Sequence, residues 1–164
     1  MRFPLHLVNI DFGYPFSISY RNLMIDLRYQ LLIVYQNTMR RRVRDIVIID
    51  MRRGSLVATY EVVYDDTPES ATEFTDANLS LVSGNQNVTI FNETVSATSV
   101  QVKDAIVTKE TLSENVCPLF DATRGCGQGS HCENQAGKPV CVLVRRISGQ
   151  CNSPLDFVDE QKLV

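Results

Sequence analysis

Two apolar runs joined by a short polar connection constrain the fold of this chain more than any other stretch. The runs are Ile46 to Ile49 and Leu56 to Tyr64, and both are rich in the β-branched and aromatic residues that strands favour. The connection between them is Arg52-Arg53-Gly54-Ser55. A glycine-containing connection of about four residues predicts a β-hairpin. Because the runs are largely apolar on both faces, they are expected to lie in the middle of a sheet.

Apolar spacing before the hairpin predicts one strand and one helix. Phe3 to Ile10 is expected to be the first strand, with Pro4 near its beginning, as at an edge or a strand start. From about Ser19 to Met39 the apolar residues recur every three or four positions, which predicts a helix packed on one face. This face consists of Tyr20, Leu23, Met24, Leu27, Leu31, Val34 and Tyr35.

A second helix and a last strand are expected after the hairpin. Thr67-Pro68-Glu69 is typical of a helix start, with Thr as the cap and Pro in the first turn. This helix is expected to end near Leu81, and residues 89–95 fit either an extended loop or a short strand. Ser99 to Val102 is expected to be the last strand. The order strand, helix, strand, strand, helix, strand predicts an α+β fold, the ferredoxin-like split βαβ sandwich, over residues 1–105.

The residues around the connection resemble a known signature. Met51-Arg52-Arg53-Gly54-Ser55-Leu56-Val57-Ala58 resembles the SEA-domain motif, in which an apolar residue and Arg precede Gly-Ser and a β-branched strand follows. The predicted order of strands and helices is also that of SEA domains. The domain is similar to those of membrane mucins, matriptase-like surface proteases and photoreceptor-matrix proteoglycans. Leu56 stands where Val or Ile is commoner, and Ala58 where Val often stands, and both leave a strand possible.

The resemblance carries an expected activity. In the cleaved members of that family the Gly-Ser peptide bond breaks by itself during folding, and the two halves stay associated. This implies that Gly54 and Ser55 are the catalytic residues of a single self-cleavage without an external substrate. A serine hydroxyl is a poor nucleophile toward an amide, so strain in the tight connection has to replace a general base. The alternative is that Gly54 only supplies a turn dihedral and Ser55 only begins the returning strand.

Two features of the sequence place the chain outside the cytosol. Asn78-Leu79-Ser80, Asn87-Val88-Thr89 and Asn92-Glu93-Thr94 are N-glycosylation acceptors, and their asparagine side chains are expected to be exposed. All five cysteines fall in the last third of the chain, as in a compact disulfide module. Together these features predict an extracellular glycoprotein, either secreted or at the cell surface.

The cysteine spacing carries a second resemblance. Cys117-x8-Cys126-x5-Cys132-x8-Cys141 resembles the first four cysteines of an EGF-like module. In that family the first cysteine pairs with the third and the second with the fourth, which implies the bridges Cys117–Cys132 and Cys126–Cys141. Leu143 stands where the next cysteine is expected, so Cys151 lacks its family partner. Either the module is degenerate, or Cys151 pairs outside this fragment or on another chain, or it is a free thiol.

The rest of the chain divides around these cysteines. Residues 106–116 are expected to be a polar connector, residues 117–151 the EGF-like module and residues 152–164 a tail. A zinc site is disfavoured, because the only nearby histidine is His131 and no Cys-x2-Cys pair occurs. Ser113 to Val116 does not match the pattern that precedes calcium-binding EGF-like modules. No metal and no cofactor is therefore expected.

Charge and residue usage argue against several other classes of protein. A net charge of −3 without a nucleic-acid-binding motif argues against a nucleic-acid partner, although four arginines cluster at positions 40, 41, 42 and 44. The cluster is expected to be a solvated connection after the first helix, which a protease or a polyanion could use. His6 and His131 fall in different modules, so a Ser-His or Cys-His pair acting on an external substrate is not expected.

Membrane and targeting signals are expected to lie elsewhere. No stretch approaches the roughly 18 apolar residues of a membrane-spanning helix. Polar residues interrupt the apolar start of the chain, so it does not match a signal peptide. The chain is therefore expected to be a fragment of a larger extracellular protein, with any membrane attachment in segments outside it.

Two functional hypotheses from different classes follow. The first is a structural module whose SEA-like domain cleaves itself once and then acts as a non-covalent joint, for shedding or for mechanical dissociation. The second is an uncleaved adhesion or matrix spacer that binds glycan or protein partners through its cysteine-rich part. In both, the immediate partners are other parts of a larger extracellular chain.

Overall fold

The computed structural model describes residues 1–5, 7, 9–53 and 55–144. Within them the fold is mixed α and β, with antiparallel sheets. The helices are α1 (Ile18–Met39), α2 (Pro68–Ser83) and α3 (Val116–Thr123), with a 3₁₀ turn at Arg40–Arg42. The strands are β1 (Arg2–Phe3), β2 (Val43–Arg52), β3 (Leu56–Tyr64), β4 (Val88–Ile90), β5 (Glu93–Val95), β6 (Ser99–Val102), β7 (Ala105–Thr108), β8 (Ser130–Gln135) and β9 (Lys138–Leu143).

The main sheet has five strands in the order β2-β3-β1-β6-β7, and every neighbouring pair is antiparallel. β2 and β3 form the long hairpin that the two apolar runs predict. The expectation that both runs lie in the middle of the sheet is wrong for the first run, because β2 is an edge strand. Apolar residues on both faces of a strand do not decide whether a further strand pairs with its outer edge. One face of the sheet buries side chains such as Ile46, Ala58 and Val107, each 0% exposed, under α1 and α2. The opposite face leaves Val47 and Val63 partly exposed. The core therefore lies between one layer of strands and one layer of helices.

Each of the two long helices begins directly after a residue whose side chain caps it. The Ser17 side chain caps α1 by accepting a hydrogen bond from the Tyr20 N–H (3.2 Å). Thr67 caps α2 by accepting from the Ser70 N–H (3.1 Å), and a left-handed Gly84 ends that helix. The buried face of α1 consists of Tyr20, Leu23, Leu27, Leu31, Val34, Tyr35 and Met39, close to the set that the spacing predicts.

The first strand is shorter than the sequence predicts. β1 covers Arg2 and Phe3 rather than residues 3–10. Pro4 has no backbone N–H for a ladder, and the Leu5 N–H donates to the Phe3 carbonyl (2.9 Å) in a tight turn. Leu5 and Ile10 are nevertheless 2% and 6% exposed. Leu5 and Ile10 thus fill the core without extending the sheet.

Residues 89–95, which fit a loop or a strand, belong to a separate hairpin. β4 pairs with β5 around a two-residue turn, Phe91-Asn92. Gln30 and Asp26 of α1 accept hydrogen bonds from the backbone of this hairpin, at 3.1 and 3.3 Å. The hairpin is therefore attached along the outside of α1.

Residues 106–116 are not the polar connector that their composition predicts. Ala105–Thr108 is β7, which pairs with β6 at the edge of the main sheet, and Val107 is fully buried. Val116 and Leu119 of α3 belong to the same core. Three consecutive apolar residues are enough for a short edge strand, because only alternate side chains have to be buried.

The cysteine-rich part is a two-stranded hairpin, β8 with β9, linked to α3. The Cys117–Cys132 disulfide joins α3 to β8, and Cys126–Cys141 joins the segment after α3 to β9. This is the pairing that the EGF-like resemblance implies. Cys151 and the expected tail at 152–164 lie outside the described residues.

Candidate functional site

The connection between β2 and β3 is anchored at both ends by buried side chains. Met51 and Leu56 are each 1% exposed, and the ladder continues to Arg52 opposite Val57. Arg52 is exposed and its Nε donates to the Asp50 carboxylate (2.6 Å). The ends of the connection can therefore move apart or together only if Met51 or Leu56 leaves the core.

Ser55 has a backbone conformation that non-glycine residues disfavour. Its φ of 54° lies in the left-handed region, which costs a residue with a side chain on the order of 1 kcal/mol. Ser55 is half-buried and directly precedes Leu56, which pairs with Phe3 of β1. Gly54 lies outside the described residues, and with it the peptide bond that Ser55 is expected to attack. Backbone strain is thus observed on the serine side of the predicted cut.

The predicted cut gives each half of the chain a strand that lies between two strands of the other half. We call residues 1–54 the N-terminal half and residues from 55 onward the C-terminal half. The N-terminal half contributes β1 and β2, and the C-terminal half contributes β3, β6 and β7. In the order β2-β3-β1-β6-β7, β3 lies between two strands of the N-terminal half, and β1 lies between two strands of the C-terminal half. Ladders between β2 and β3, β3 and β1, and β1 and β6 therefore join the halves.

Ion pairs at the start of β2 also join the halves. Arg42 Nη1 lies 2.7 Å from Glu73 Oε1, at angles that do not suit a hydrogen bond. Arg44 Nε donates to Asp65 Oδ1 (2.8 Å). Both pairs are partly exposed, so each contributes about 1 kcal/mol or less. The arginines at 40 and 41 are exposed in the 3₁₀ turn, in agreement with the predicted solvated connection.

A buried polar network crosses the same boundary. The Tyr35 hydroxyl of α1 donates to Asn78 Oδ1 (2.8 Å) and lies 2.9 Å from the Tyr60 hydroxyl of β3. Asn78 Nδ2 donates to the Phe74 carbonyl (2.7 Å). Burial raises the pKa of both tyrosines, so their hydroxyls stay protonated at neutral pH. Leaving one of these groups unpaired in the core costs about 1 to 3 kcal/mol, so the network favours one alignment of the two halves.

The same network corrects the prediction for Asn78. The side chain is 1% exposed, so the expectation that it is exposed is wrong. A glycan on Nδ2 would displace the hydrogen bond to Phe74 and has no room in the core, so this fold excludes a glycan there. The signal was present in the sequence. Asn78 lies four residues after Phe74 and three before Leu81, and all three face the core from α2.

The other two asparagines are exposed and belong to the β4–β5 hairpin. Asn87 immediately precedes β4, and Asn92 lies in the turn. The hydroxyls of Thr89 and Thr94, which complete the two acceptor sequences, form a 2.9 Å hydrogen bond across the hairpin. Both acceptor sequences therefore meet in one small hairpin on the outside of α1.

A cleft of about 580 Å³ separates α2 from the turn of the β8–β9 hairpin. Asp76 of α2 and Lys138 of β9 both line it. Burial raises the pKa of the Asp76 carboxyl, the Lys138 charge opposes this, and Glu73 adds to it. The Asn134 side chain donates to the Ser113 carbonyl and so fastens the hairpin beside the cleft. The cleft thus has a charged residue on each of two elements.

The two disulfides fit an oxidising environment, extracellular or secreted. No helix in the described part of the chain combines the length and apolar character needed to cross a membrane. Comparisons of the chain with protein-family models, with curated proteins and with solved structures find no match. The two family resemblances therefore rest on the residues of this chain alone.

Proposed function

We propose that the chain is an extracellular structural module of a mucin-like or cell-surface glycoprotein, in which a SEA-type domain cleaves itself once between Gly54 and Ser55. The observation that carries this proposal is the alternation of the two halves in the main sheet. Because each half inserts a strand between strands of the other, both share one sheet and one core. Breaking one peptide bond leaves that burial unchanged, so the cleaved halves stay together as a non-covalent joint.

The strand order supports a ferredoxin-like split βαβ sandwich for the SEA-like part. Leaving aside the β4–β5 hairpin and the edge strand β7, the elements are β1, α1, β2, β3, α2 and β6, in that chain order. Their spatial order is β2-β3-β1-β6, with the first and third strands adjacent in the centre. The Cys117–Cys132 and Cys126–Cys141 bridges support an EGF-like module after it.

The proposed cleavage needs only the two residues and water. The Ser55 Oγ attacks the Gly54 carbonyl carbon, and the C–N bond breaks as the hydroxyl proton passes to the departing amine. This gives an ester between Gly54 and Ser55 Oγ. Water then splits the ester, which leaves a carboxyl group on Gly54 and restores the Ser55 hydroxyl. The new amine of Ser55 becomes the start of the C-terminal half.

Two observations support strain as the driving force. Ser55 is already in the left-handed region, and the buried residues Met51 and Leu56 fix both ends of the connection. Moving the connection toward a distorted peptide weakens amide resonance, which is what otherwise protects the bond from a neutral hydroxyl. Cleavage relieves that distortion without loss of core contacts.

Ser55→Ala tests the chemistry. The parent protein should give two bands on a denaturing gel, with intact masses that divide the chain after residue 54, and one species on native size exclusion. Ser55→Ala should give one band, because the nucleophile is gone, and an unchanged circular dichroism spectrum. Ser55→Cys keeps a nucleophile and should still cleave. A parent protein that stays in one piece would remove self-cleavage from the proposal.

Two further variants separate self-cleavage from proteolysis. Arg52→Gln with Arg53→Gln removes the trypsin-like sites from the same connection and should leave cleavage unchanged. Two glycines inserted after Arg53 should slow it, since slack relieves strain while the hydroxyl remains. Equal cleavage in Ser55→Ala and in the parent would instead indicate an external protease.

The cleft between α2 and the β8–β9 hairpin supports a second candidate function, that of an uncleaved adhesion or matrix spacer. It lies where the cysteine-rich hairpin meets α2, so a protein or glycan ligand there would contact both parts of the chain. An intact parent protein on the denaturing gel, together with partner binding that Lys138→Glu abolishes, would favour this function over the first.

A further inference from the structure

The turn of the β4–β5 hairpin has a backbone that suits only one of its two residues. Phe91 has a φ of 48° and Asn92 a φ of 68°. A two-residue hairpin turn with both φ values positive is type I′, in which Asn and Gly are favoured. Asn92 fits this preference. A bulky aromatic residue such as Phe91 is an outlier there, and outliers of this kind are concentrated at functional and ligand-contacting sites.

The Phe91 ring is also available for a contact. The residue is 47% exposed, whereas Ile90 beside it is fully buried. The Phe91 N–H donates to Asp26 of α1 (3.3 Å), which holds the turn against the helix. On the same helix, Ile25 and Tyr29 lie one residue before and three after Asp26, and each is 60% exposed. Exposed apolar side chains therefore occur both in the turn that contains Asn92 and on the helix that this turn contacts.

We infer that an N-glycan on Asn92 covers this surface, with its innermost sugar packed on the Phe91 ring. The inference rests on the secretory location in the proposed function. Phe91 and Asn92 are adjacent residues of a two-residue turn, so a sugar on Asn92 starts close to the ring. A pyranose has a face made of C–H groups, which packs on an aromatic π face and removes apolar area from water. The strained position of Phe91 places the ring beside that sugar.

The modification itself is ordinary N-glycosylation, with a lipid-linked oligosaccharyl pyrophosphate as the co-reactant. The Asn92 Nδ2 attacks the anomeric carbon of the first sugar. The Nδ2–C1 bond forms and the C1–O bond to pyrophosphate breaks. The lipid pyrophosphate leaves with the bonding electron pair, and the proton lost by the amide nitrogen passes to it or to water. Because Thr94 is hydrogen-bonded to Thr89 in the folded hairpin, transfer should precede closure of β4 on β5.

Asn87 provides a matched control within the same hairpin. It is exposed, but its neighbours are Gln86 and the fully buried Val88, so no exposed ring adjoins it. A glycan on Asn87 has the same solubilising effect and the same bulk as one on Asn92. Only the Asn92 glycan should depend on Phe91.

A double-mutant cycle on thermal stability tests the inference. Two variants are compared, Asn87→Gln alone and Asn87→Gln combined with Phe91→Ala. Each is produced in a secretory host, where Asn92 receives a glycan, and in a bacterial periplasm, where it does not. With Phe91 present, the Asn92 glycan should raise the melting temperature by about 2 to 4 °C. In Phe91→Ala the increase should fall below about 1 °C. Trimming the glycan to one sugar should preserve the difference, because the innermost sugar makes the contact.

Some results would contradict the glycan contact alone, and others would also contradict the secretory location. In the control, both proteins carry Asn92→Gln, and only one of them also carries Phe91→Ala. The Asn87 glycan should change the melting temperature of these two proteins equally. Equal effects of the Asn92 glycan in the Phe91 and Phe91→Ala proteins would overturn the inference. So would mass spectrometry that finds Asn87 modified and Asn92 bare, while the secretory location stands. Both sites bare in secreted material would count against the inference and the location together.

Discussion

The main sheet with its helices and the β8–β9 hairpin are stabilised by different forces. In the first region, long apolar side chains such as Leu23, Leu27 and Leu31 are fully buried. In the hairpin, Pro139 is the one buried residue of β8 and β9, and the strands are held to the rest by two disulfides. Burial is shared by many residues, so we expect the sheet to stay together when one peptide bond is broken. A cross-link acts between two atoms, so each bridge holds one strand.

The helix α3 connects the two regions. Val116 and Leu119 of this helix lie in the main core, while Cys117 between them bridges to β8. The boundary between the predicted modules therefore runs through a helix and not through a connector. Because both regions share this helix, we expect the hairpin to move little relative to the sheet.

Truncating the core should have the largest effect. Leu27→Ala should lower the free energy of unfolding by about 3 to 5 kcal/mol, because Leu27 is fully buried and the cavity cannot fully collapse. Ile25→Ala is the control on the same helix, where 60% exposure predicts a change within about 0.5 kcal/mol. Urea titration measures both. Similar losses for the two variants would mean that α1 does not face the sheet as described.

Removing one bridge should have a more local effect. Cys117→Ser with Cys132→Ser removes a bridge across a 15-residue separation, for which loop entropy assigns about 3 kcal/mol. The loss should appear as faster amide exchange in β8 and β9, with little change in β2 and β3. The Cys126–Cys141 bridge stays intact as an internal reference. Uniform loss of protection across the main sheet would contradict the division between the two regions.

The smallest effect should come from the charges where the two regions meet. Burial raises the pKa of Asp76 above its unfolded value, so its favourable contribution is present at acidic pH and is lost as pH rises through the folded pKa. Asp76→Asn should therefore be more stable than the parent at pH 7, by less than about 1 kcal/mol for a partly exposed group. The difference should shrink on acidification. Thermal melts between about pH 3 and about pH 7 measure it.

The Lys138→Met variant, measured in the same way, removes the charge that opposes the pKa shift of Asp76. Without the lysine charge the Asp76 pKa should rise further, so the pH dependence should become steeper. An unchanged pH dependence in Lys138→Met would show that β9 does not face α2 across the cleft.

Much of the secondary structure follows from the sequence, because its signals are local. The Thr67 cap, the Pro68 start and the spacing of the α1 face depend on residues within a few positions of one another, and the structure confirms them. The β2–β3 hairpin depends on two adjacent apolar runs and one connection. The candidate cleavage residues were likewise found from a continuous eight-residue pattern.

The features that the sequence left open depend on residues far apart in the chain. The spacing of Asn78 from its apolar neighbours places it on the buried face of α2, but only the fold brings the Tyr35 hydroxyl to its side chain. β1 ends at Phe3, although its apolar pattern continues. Residues 105–108 form an edge strand because their backbone hydrogen-bonds to β6.

The sequence by itself determined that two adjacent apolar runs form the β2–β3 hairpin, that two long helices cover the sheet, and which asparagines begin acceptor sequences. The tertiary structure alone decided that β3 inserts between β2 and β1, and β1 between β3 and β6. The physical reason is that turns and caps are set by neighbouring residues, whereas strand order is set by burial of one common core. For the proposed cleavage, we expect this strand order to hold the two halves together.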